Sequence, residues 1–333
     1  MNRTASRRVL VTGGTGFVGS HLVDRLLEEG YDVVCLVRDP ARLRWLEGRR
    51  VRIVHGDCSR PETLPAAVKD ASYVVHAAGL TKARRPADYY ETNHVGTKNL
   101  LDALRLNNPG IRRFVLVSSL SAAGPSRDGV PVKDTDPPMP VSDYGKSKLL
   151  AEREALACKD LFPVVVLRPS AVYGPRDTDM FELFRWAARG FLPIFSGGER
   201  FINLCCVWDL VEAVLLSIEC DLPSGGVYFV AEERAYSWSE IWDMLQSTGN
   251  VHARRITIPP WAARLMAAGA ELTGIFTGKP ALTNRQKVEE ALQRYWICDI
   301  GKIRRDLGFS PAYPLSKGFG MTWRWYREKG WIQ

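Results

Sequence analysis

Tyr144 and Lys148 stand four residues apart in Tyr144-Gly145-Lys146-Ser147-Lys148, so on a helix they share one face. A phenol titrates near ~10 and is a poor acid or base at neutral pH. A nearby ammonium favours the phenolate and lowers that value. A phenol tuned in this way can give a proton to a carbonyl oxygen or take one from an alcohol. Tyr-x-x-x-Lys is a frequent accident, so its setting decides. Here it opens a helix that follows an apolar strand ending Val117-Ser118-Ser119-Leu120-Ser121. A serine hydroxyl at the carboxyl end of a strand can both donate to and accept from a substrate oxygen. Ser118, Ser119 and Ser121 compete for that role.

The partner of such a proton carrier is signalled at the other end of the chain. Val9-Leu10-Val11-Thr12-Gly13-Gly14-Thr15-Gly16-Phe17-Val18-Gly19 is an apolar strand running into a glycine-rich turn that opens a helix, His21 to Glu29, with Leu22, Leu26 and Leu27 inward. Gly13 suits the tight exit from the strand. Gly16 lets a pyrophosphate sit against backbone N–H groups at the helix N-terminus, where the dipole favours an anion. Gly19 lets the helix pack close to the sheet. Between a β-branched strand and an amphipathic helix, this pattern points to a dinucleotide. The second strand ends Val37-Arg38-Asp39-Pro40. An acidic residue at that place selects NAD, whereas an arginine neutralises a 2′-phosphate. Arg38 takes the place, so NADP is expected over NAD. Asp57, at the end of the third strand and followed by Cys58, is placed to accept from the adenine amino group; an aspartate capping the helix near Pro61 is an equal reading.

These residues need a frame, and the spacing supplies one. Strands are expected at Arg8–Thr12, Val33–Val37, Val51–Val54, Tyr73–Ala77, Phe114–Val117 and Val164–Leu167, with helices at Tyr89–Leu106 and Tyr144–Ala157. Alternating β and α runs give an α/β fold, a doubly wound parallel sheet with ligands at the strands' carboxyl ends. After about residue 175 the pattern becomes mixed. Helices are expected at Met180–Arg189, Val207–Ile218, Ser239–Gln246, Trp261–Leu272 and Asn284–Leu292, and strands at Val227–Val230 and Arg255–Ile258. Ser237 reads as a helix cap with Glu240 as its capping-box partner. The expected division is a dinucleotide domain over 1–175 and a smaller mixed α/β substrate lobe over 176–333, with segments crossing between them.

Composition narrows the class. Of 333 residues, 46% are hydrophobic and 25% charged, as in an ordinary globular chain. The seven cysteines are scattered and odd in number, which argues for a reducing compartment and against a disulfide framework or a zinc site. The five histidines are dispersed too, so no metal is expected. No apolar run approaches the ~20 residues that span a bilayer, and the basic Met1–Arg8 stretch leads straight into a strand, unlike a signal peptide. A cytoplasmic location is expected. The net charge of +8 is spread along the chain, fitting a solvated surface with a pocket for a phosphorylated cofactor rather than nucleic acid. The amphipathic Trp261–Ala268 stretch is expected to cover a pocket or core rather than touch a membrane.

Taken together, Thr12–Gly19, Gly56-Asp57, His76-Ala77-Ala78-Gly79, Asn93-His94-Val95-Gly96-Thr97, Ser118-Ser119, Tyr144–Lys148 and Arg168-Pro169-Ser170-Ala171-Val172-Tyr173-Gly174-Pro175 occur in the order found in the extended short-chain dehydrogenases/reductases. The chain resembles the NAD(P)-dependent epimerase/dehydratase group among them, and within it the dihydroflavonol-reductase and 3β-hydroxysteroid-dehydrogenase types. The resemblance implies a Rossmann sheet, Tyr144 as acid/base, Lys148 on the nicotinamide ribose and Ser119, five residues before Gly124, as the catalytic serine. It implies that Gly13, Thr15, Gly16, Phe17, Val18, Arg38, Asp57, Cys58, Ala77, Ala78, Gly79, Asn93, Pro169 and Val172 surround the cofactor. It also implies a homodimer built on the two long helices. Family dehydratases follow the serine or threonine with an Asp-Glu pair; Leu120 and Ser121 stand there instead, which argues against dehydration. Ala122-Ala123 and Trp208 replace more polar residues of sugar-nucleotide enzymes and imply a less polar pocket. The expected function is hydride transfer between NADP and a ketone or secondary alcohol of a small, fairly apolar cyclic substrate. The alternatives are a nucleotide-sugar 4-epimerase with tightly bound NAD and a non-catalytic cofactor-binding regulator.

Overall fold

The computed structural model describes residues 7–277 and 285–332. Most of the basic N-terminal stretch and Asn284, the expected start of one helix, lie outside the described residues. In the first half the strands are β1 (Arg8–Thr12), β2 (Asp32–Val37), β3 (Arg52–His55), β4 (Tyr73–His76), β5 (Arg113–Val117) and β6 (Val164–Pro169). Helices α1 (Phe17–Glu28), α2 (Pro65–Val68), α3 (Pro86–Tyr89), α4 (Gly96–Asn107), α5 (Leu120–Ala123) and α6 (Asp143–Ala157) connect them. The long helical run expected from Tyr89 is continuous but widens to a π-helix over Tyr90–Val95 before α4. The strands form one parallel sheet in the spatial order 3-2-1-4-5-6, and Gly226–Val230, from far along the chain, adds a seventh strand beside β6.

Both faces of the sheet are buried, and strand alternation divides them. Val9, Val11, Val33, Cys35, Val75, Val115 and Val165 pack on one side under α1. Leu10, Val34, Val74, Phe114, Leu116, Val164 and Val166 pack on the other beneath α4 and α6. A fully buried aliphatic side chain of this kind contributes about 1.5–3 kcal/mol, which is why β-branched runs rather than polar alternation mark these strands.

The strand order reverses between β1 and β4, and there the crevice opens. Gly13 has φ +77°, and a Cβ on it would lie 2.7 Å from the Ala78 backbone nitrogen. A Cβ on Gly19 would lie 2.1 Å from the Gly13 carbonyl oxygen, so α1 can approach the loop only without a side chain there. Beneath the crevice a buried relay ties the strands together. Thr97 Oγ1 donates to the Asn93 carbonyl at 2.6 Å and so accepts from His76 Nε2 at 2.9 Å. His76 Nδ1 then accepts from Thr12 Oγ1 at 2.6 Å, and Thr12 accepts from the Ala78 N–H at 3.2 Å. Burial holds the imidazole neutral by lowering its pKa to about 3.

The chain leaves the large sheet at β7 (Ala171–Tyr173). The second lobe contains α7 (Phe181–Ala188), β8 (Phe191–Phe195), β9 (Phe201–Cys206) and α8 (Val207–Glu219). The returning strand β10 (Gly226–Val230) is followed by β11 (Ala235–Ser237), α9 (Trp238–Gly249), β12 (Arg254–Ile258) and α10 (Pro260–Thr277). Last come α11 (Arg285–Leu292), β13 (Tyr295–Trp296), α12 (Gly301–Leu307) and α13 (Leu315–Glu328). β9 pairs with β7, β11 and β13, and β8 pairs with β12. The expected helices and the Ser237–Glu240 capping box are present. Strands β7, β8, β9, β11 and β13 and the helices α12 and α13 are additional to the sequence expectation. α13 carries Phe319, Trp323 and Tyr326 at spacings of four and three into an aromatic core with Tyr173, Phe184 and Trp242. Among the described residues, no helix is long and apolar enough to cross a membrane.

Candidate active site

A cavity of about 450 Å³ lies where the carboxyl ends of β1, β4, β5 and β6 meet the second lobe. It gathers Phe17, Val18, Ala77, Gly79, Ser119, Tyr144, Lys148, Pro169 and Val172 from the sequence expectation. Gly13, Thr15, Gly16, Arg38, Asp57 and Cys58 are not on its wall; they follow the ends of β1, β2 and β3 along the same edge of the sheet. Ala78 and Asn93 lie behind the wall. Asn93 uses its amide on Leu80 and Ser147: Oδ1 accepts from Leu80 N at 2.7 Å, and Nδ2 donates to Leu80 O at 3.1 Å and Ser147 Oγ at 2.9 Å. It ties the Gly79 loop to α6.

The three competing serines separate cleanly. Ser118 is buried and donates to Glu152 Oε1, which is itself ion-paired with Arg168 at 2.7 Å. Ser121 lines the cavity beside Glu290, whose pKa it lowers. Ser119 is the N-cap of α5; its Oγ accepts from Ser121 N at 3.1 Å, and it shares the cavity wall with Tyr144, whose pKa it lowers. Tyr144 sits on the first turn of α6, whose start is fixed by Ser142 Oγ accepting from Gly145 N at 3.0 Å. The ring packs 5.9 Å from that of Tyr89. Lys148, one turn on, is buried and donates from Nζ to the Val117 carbonyl at 2.6 Å.

The electrostatics correct one expectation. Sequence reading has Lys148 lowering the pKa of Tyr144. In the structure the phenol is instead pushed up, first by burial and then by the Glu290 and Asp179 carboxylates, with the Ser119 hydrogen bond acting the other way. The Lys148 ammonium is held on a backbone carbonyl, and burial lowers its own pKa to about 8 against the pull of Glu152. The site therefore holds its phenol protonated, poised as a donor.

The nucleotide end fits a dinucleotide. α1 begins at Gly16 with no side-chain cap and no acidic residue in its first turn, leaving its N–H groups for an anion. The Gly13–Ala78 contact makes a cradle that any Cβ would fill. Arg38 is exposed at the end of β2. Asp39 is committed to its own turn, with Oδ1 accepting from Ala41 N at 3.1 Å and Oδ2 3.3 Å from Arg42. Asp57 likewise closes a turn, accepting from Ser59 N at 2.9 Å. Cys58 is pinned by Asn99 Nδ2 to its carbonyl at 2.9 Å, and burial pushes its thiol up to about 12.

The substrate end was not legible as a motif. Asp177, Asp179, Met180, Ile202, Leu210, Trp238, Lys287, Glu290, Ala291 and Trp296 complete the wall. Ala122 and Ala123 are buried in the sheet core and Trp208 stacks on Tyr313, so these three do not set the pocket's polarity as expected. Leu120 and Ser121 do face the cavity.

A model of the NAD dependent epimerase/dehydratase family matches residues 9–231. A ceramide reductase of Caulobacter vibrioides is 32% identical over 328 residues, covering 97% of this chain and 96% of its own length. A UDP-glucose 4-epimerase of Vibrio cholerae is 29% identical over 333 residues, covering 96% of each. Among solved structures, MoeE5 in complex with UDP-glucuronic acid and NAD matches with a TM-score of 0.77 at 27% identity, covering 97% of this chain and 99% of that one.

Proposed function

This chain belongs to the NAD-dependent epimerase/dehydratase family of enzymes, and from that premise we propose that it is an NADP-dependent reductase or dehydrogenase acting on a ketone or secondary alcohol of a small, fairly apolar cyclic substrate. The observation that supports this reading most is the meeting of Ser119, Tyr144 and Lys148 in one cavity beside the uncapped start of α1. NADPH, when bound, supplies the hydride for reduction. Gly13, Thr15, Gly16, Phe17 and Val18 would hold its pyrophosphate side, and Ala77, Gly79, Pro169 and Val172 would enclose its nicotinamide end. Ser119 hydrogen-bonds the substrate oxygen. Tyr144 gives that oxygen its proton. Lys148 then stabilises the phenolate left behind until solvent restores it.

Reductase is preferred to epimerase because Val18, Leu120, Met180, Leu210, Trp238 and Trp296 give the cavity a large apolar share of its wall, and the relative from Caulobacter vibrioides is itself named a reductase. Incubating the purified protein with NADPH and a panel of cyclic ketones tests the reading. Cofactor consumption is expected. Retained NAD, interconversion of nucleotide sugars and no net cofactor turnover would instead establish an epimerase.

NADP preference rests on Arg38, with Asp39 engaged in its own turn. Arg38→Ala is expected to weaken NADPH binding by roughly 10- to 100-fold, the worth of a charge-assisted hydrogen bond to phosphate, while NADH binding moves by less than about threefold. Isothermal titration with both cofactors reads the difference. Equal losses for the two would remove the argument.

The Lys148 pKa of about 8 gives a pH signature. Below that value the ammonium is present to stabilise the phenolate; above it the charge is lost. In the reductive direction kcat/KM for NADPH, which reports the free enzyme, is expected to be level below about pH 8 and to fall above it. A profile flat to pH 10 would contradict this.

Two copies pairing through the α4 and α6 faces complete the proposal; sedimentation equilibrium, with an arginine-to-glutamate change at the exposed Arg153, tests it.

A further inference from the structure

The cavity has a polar corner whose side chains take no direct part in the proton transfer from Tyr144. Helix α11 brings Lys287, Glu290 and Ala291 to the wall. Glu290 is fixed by Ser142: its Oε1 accepts from Ser142 Oγ at 2.5 Å, and Ser121 lies close by on the same wall. Ser142 is the residue that caps α6, two positions before Tyr144. The helix around Glu290 is held as well: Trp296 Nε1 donates to the Glu290 carbonyl at 2.7 Å, and Gln286 Oε1 accepts from Asp143 N at 2.8 Å.

A carboxylate offers about four acceptor positions. The Ser142 hydroxyl accounts for one of them, and the group still lines the cavity. It stands near the reacting centre: Ser119, Tyr144 and Glu290 line the same cavity, and Ser142, which holds Glu290, caps the helix whose first turn carries Tyr144. A carboxylate left against an apolar group loses solvation with nothing in return, whereas an O–H or N–H donor satisfies it.

We propose that Glu290 is a specificity-determining residue that accepts a hydrogen bond from a hydroxyl or N–H group standing within a few bonds of the substrate's reacting carbonyl. The inference rests on the reductase reading and names its substrate class: an apolar ketone with an adjacent hydrogen-bond donor, such as an α-hydroxy or α-acylamino ketone. Lys287, 3.6 Å from Asp179, shares the corner and keeps it from being uniformly acidic.

The test compares cyclohexanone, 2-hydroxycyclohexanone and 2-acetamidocyclohexanone, each with an apolar ring substituent, as substrates of the full-length enzyme with NADPH. Wild type is expected to favour the donor-bearing ketones in kcat/KM by roughly 10- to 100-fold. In Glu290→Ala that ratio is expected to shrink to about threefold or less, chiefly through loss on the donor-bearing compounds. Glu290→Gln keeps the size of the side chain and an oxygen for Ser142, so it guards against misfolding of the alanine variant; its ratio is expected to fall severalfold. Brisk turnover of all three ketones by wild type with a ratio near one would overturn the proposal alone, as would a preference that survives in both variants. NADPH consumption with none of the ketones would overturn the reductase reading and this inference with it.

Discussion

Tyr144→Phe is expected to lower kcat by 10²- to 10⁴-fold while leaving NADPH affinity within about threefold, the range set by loss of one positioned general acid. The phenol removes one oxygen and nothing else, and its ring contact with Tyr89 survives in Phe. Ser119 keeps its hydrogen bond from Ser121 N, so the serine stays in place. Lys148 is held by the Val117 carbonyl rather than by Tyr144, so the nicotinamide end keeps its shape. What disappears is the proton donor. Because burial and the neighbouring carboxylates keep this phenol protonated, the loss is expected chiefly in reduction. Single-turnover oxidation of enzyme-bound NADPH separates chemistry from binding; if it proceeds at the wild-type rate, Tyr144 is not the acid and a water or Ser119 must be.

The nucleotide half of the site was legible because its physics is local. A strand, a glycine turn and a helix start are consecutive residues, and a dinucleotide needs backbone N–H groups that only such a turn exposes. The catalytic pair was legible for the same reason, one turn apart on α6. Choosing among Ser118, Ser119 and Ser121 from residues alone was not possible, because the choice is made by distant partners: Glu152 takes the Ser118 hydroxyl, and α11 brings Glu290 to the wall beside Ser121. The substrate wall was illegible for the stronger version of that reason. Asp179, Trp238, Lys287, Glu290 and Trp296 come from three separate elements and a loop, and no spacing links them. The Tyr144 shift runs opposite to the expectation because burial first, and the Glu290 and Asp179 carboxylates second, disfavour the phenolate, and the spacing of Tyr144 and Lys148 reveals neither. In the fold, α13 was missed because its buried Phe319, Trp323 and Tyr326 are interleaved with the apolar or buried Met321, Thr322 and Trp325, which blur the helical alternation of buried and exposed positions. β9 was missed because its partners β7, β11 and β13 lie far apart in the chain.

The second large effect is one of stability, and it falls beneath the catalytic serine. Arg168 on β6 and Glu152 on α6 form an ion pair at 2.7 Å with side chains only 6% and 1% exposed. The pair is bidentate, Nε and Nη2 both donating to the carboxylate, and Ser118 adds its hydroxyl. The guanidinium also lies 5.5 Å above the Phe229 ring of β10. One cluster therefore joins β5, β6, β10 and α6. Glu152→Ala leaves a buried cation without its counter-charge, and an expected cost of about 3–5 kcal/mol follows. Set against a typical total of about 5–15 kcal/mol, that is enough to leave a measurable unfolded fraction at growth temperature. The double variant Glu152→Leu with Arg168→Met removes both charges at similar volume and is expected to recover most of the loss. Urea unfolding of the three proteins measures the coupling. Because Ser118 precedes Ser119 and Val117 O anchors Lys148, the double variant should regain stability more fully than kcat: the packing can be replaced, but the hydrogen bond that sets the end of β5 cannot. Equal recovery of both would show that the cluster is structural only, and a stable Glu152→Ala would show that Arg168 finds water when its partner is removed.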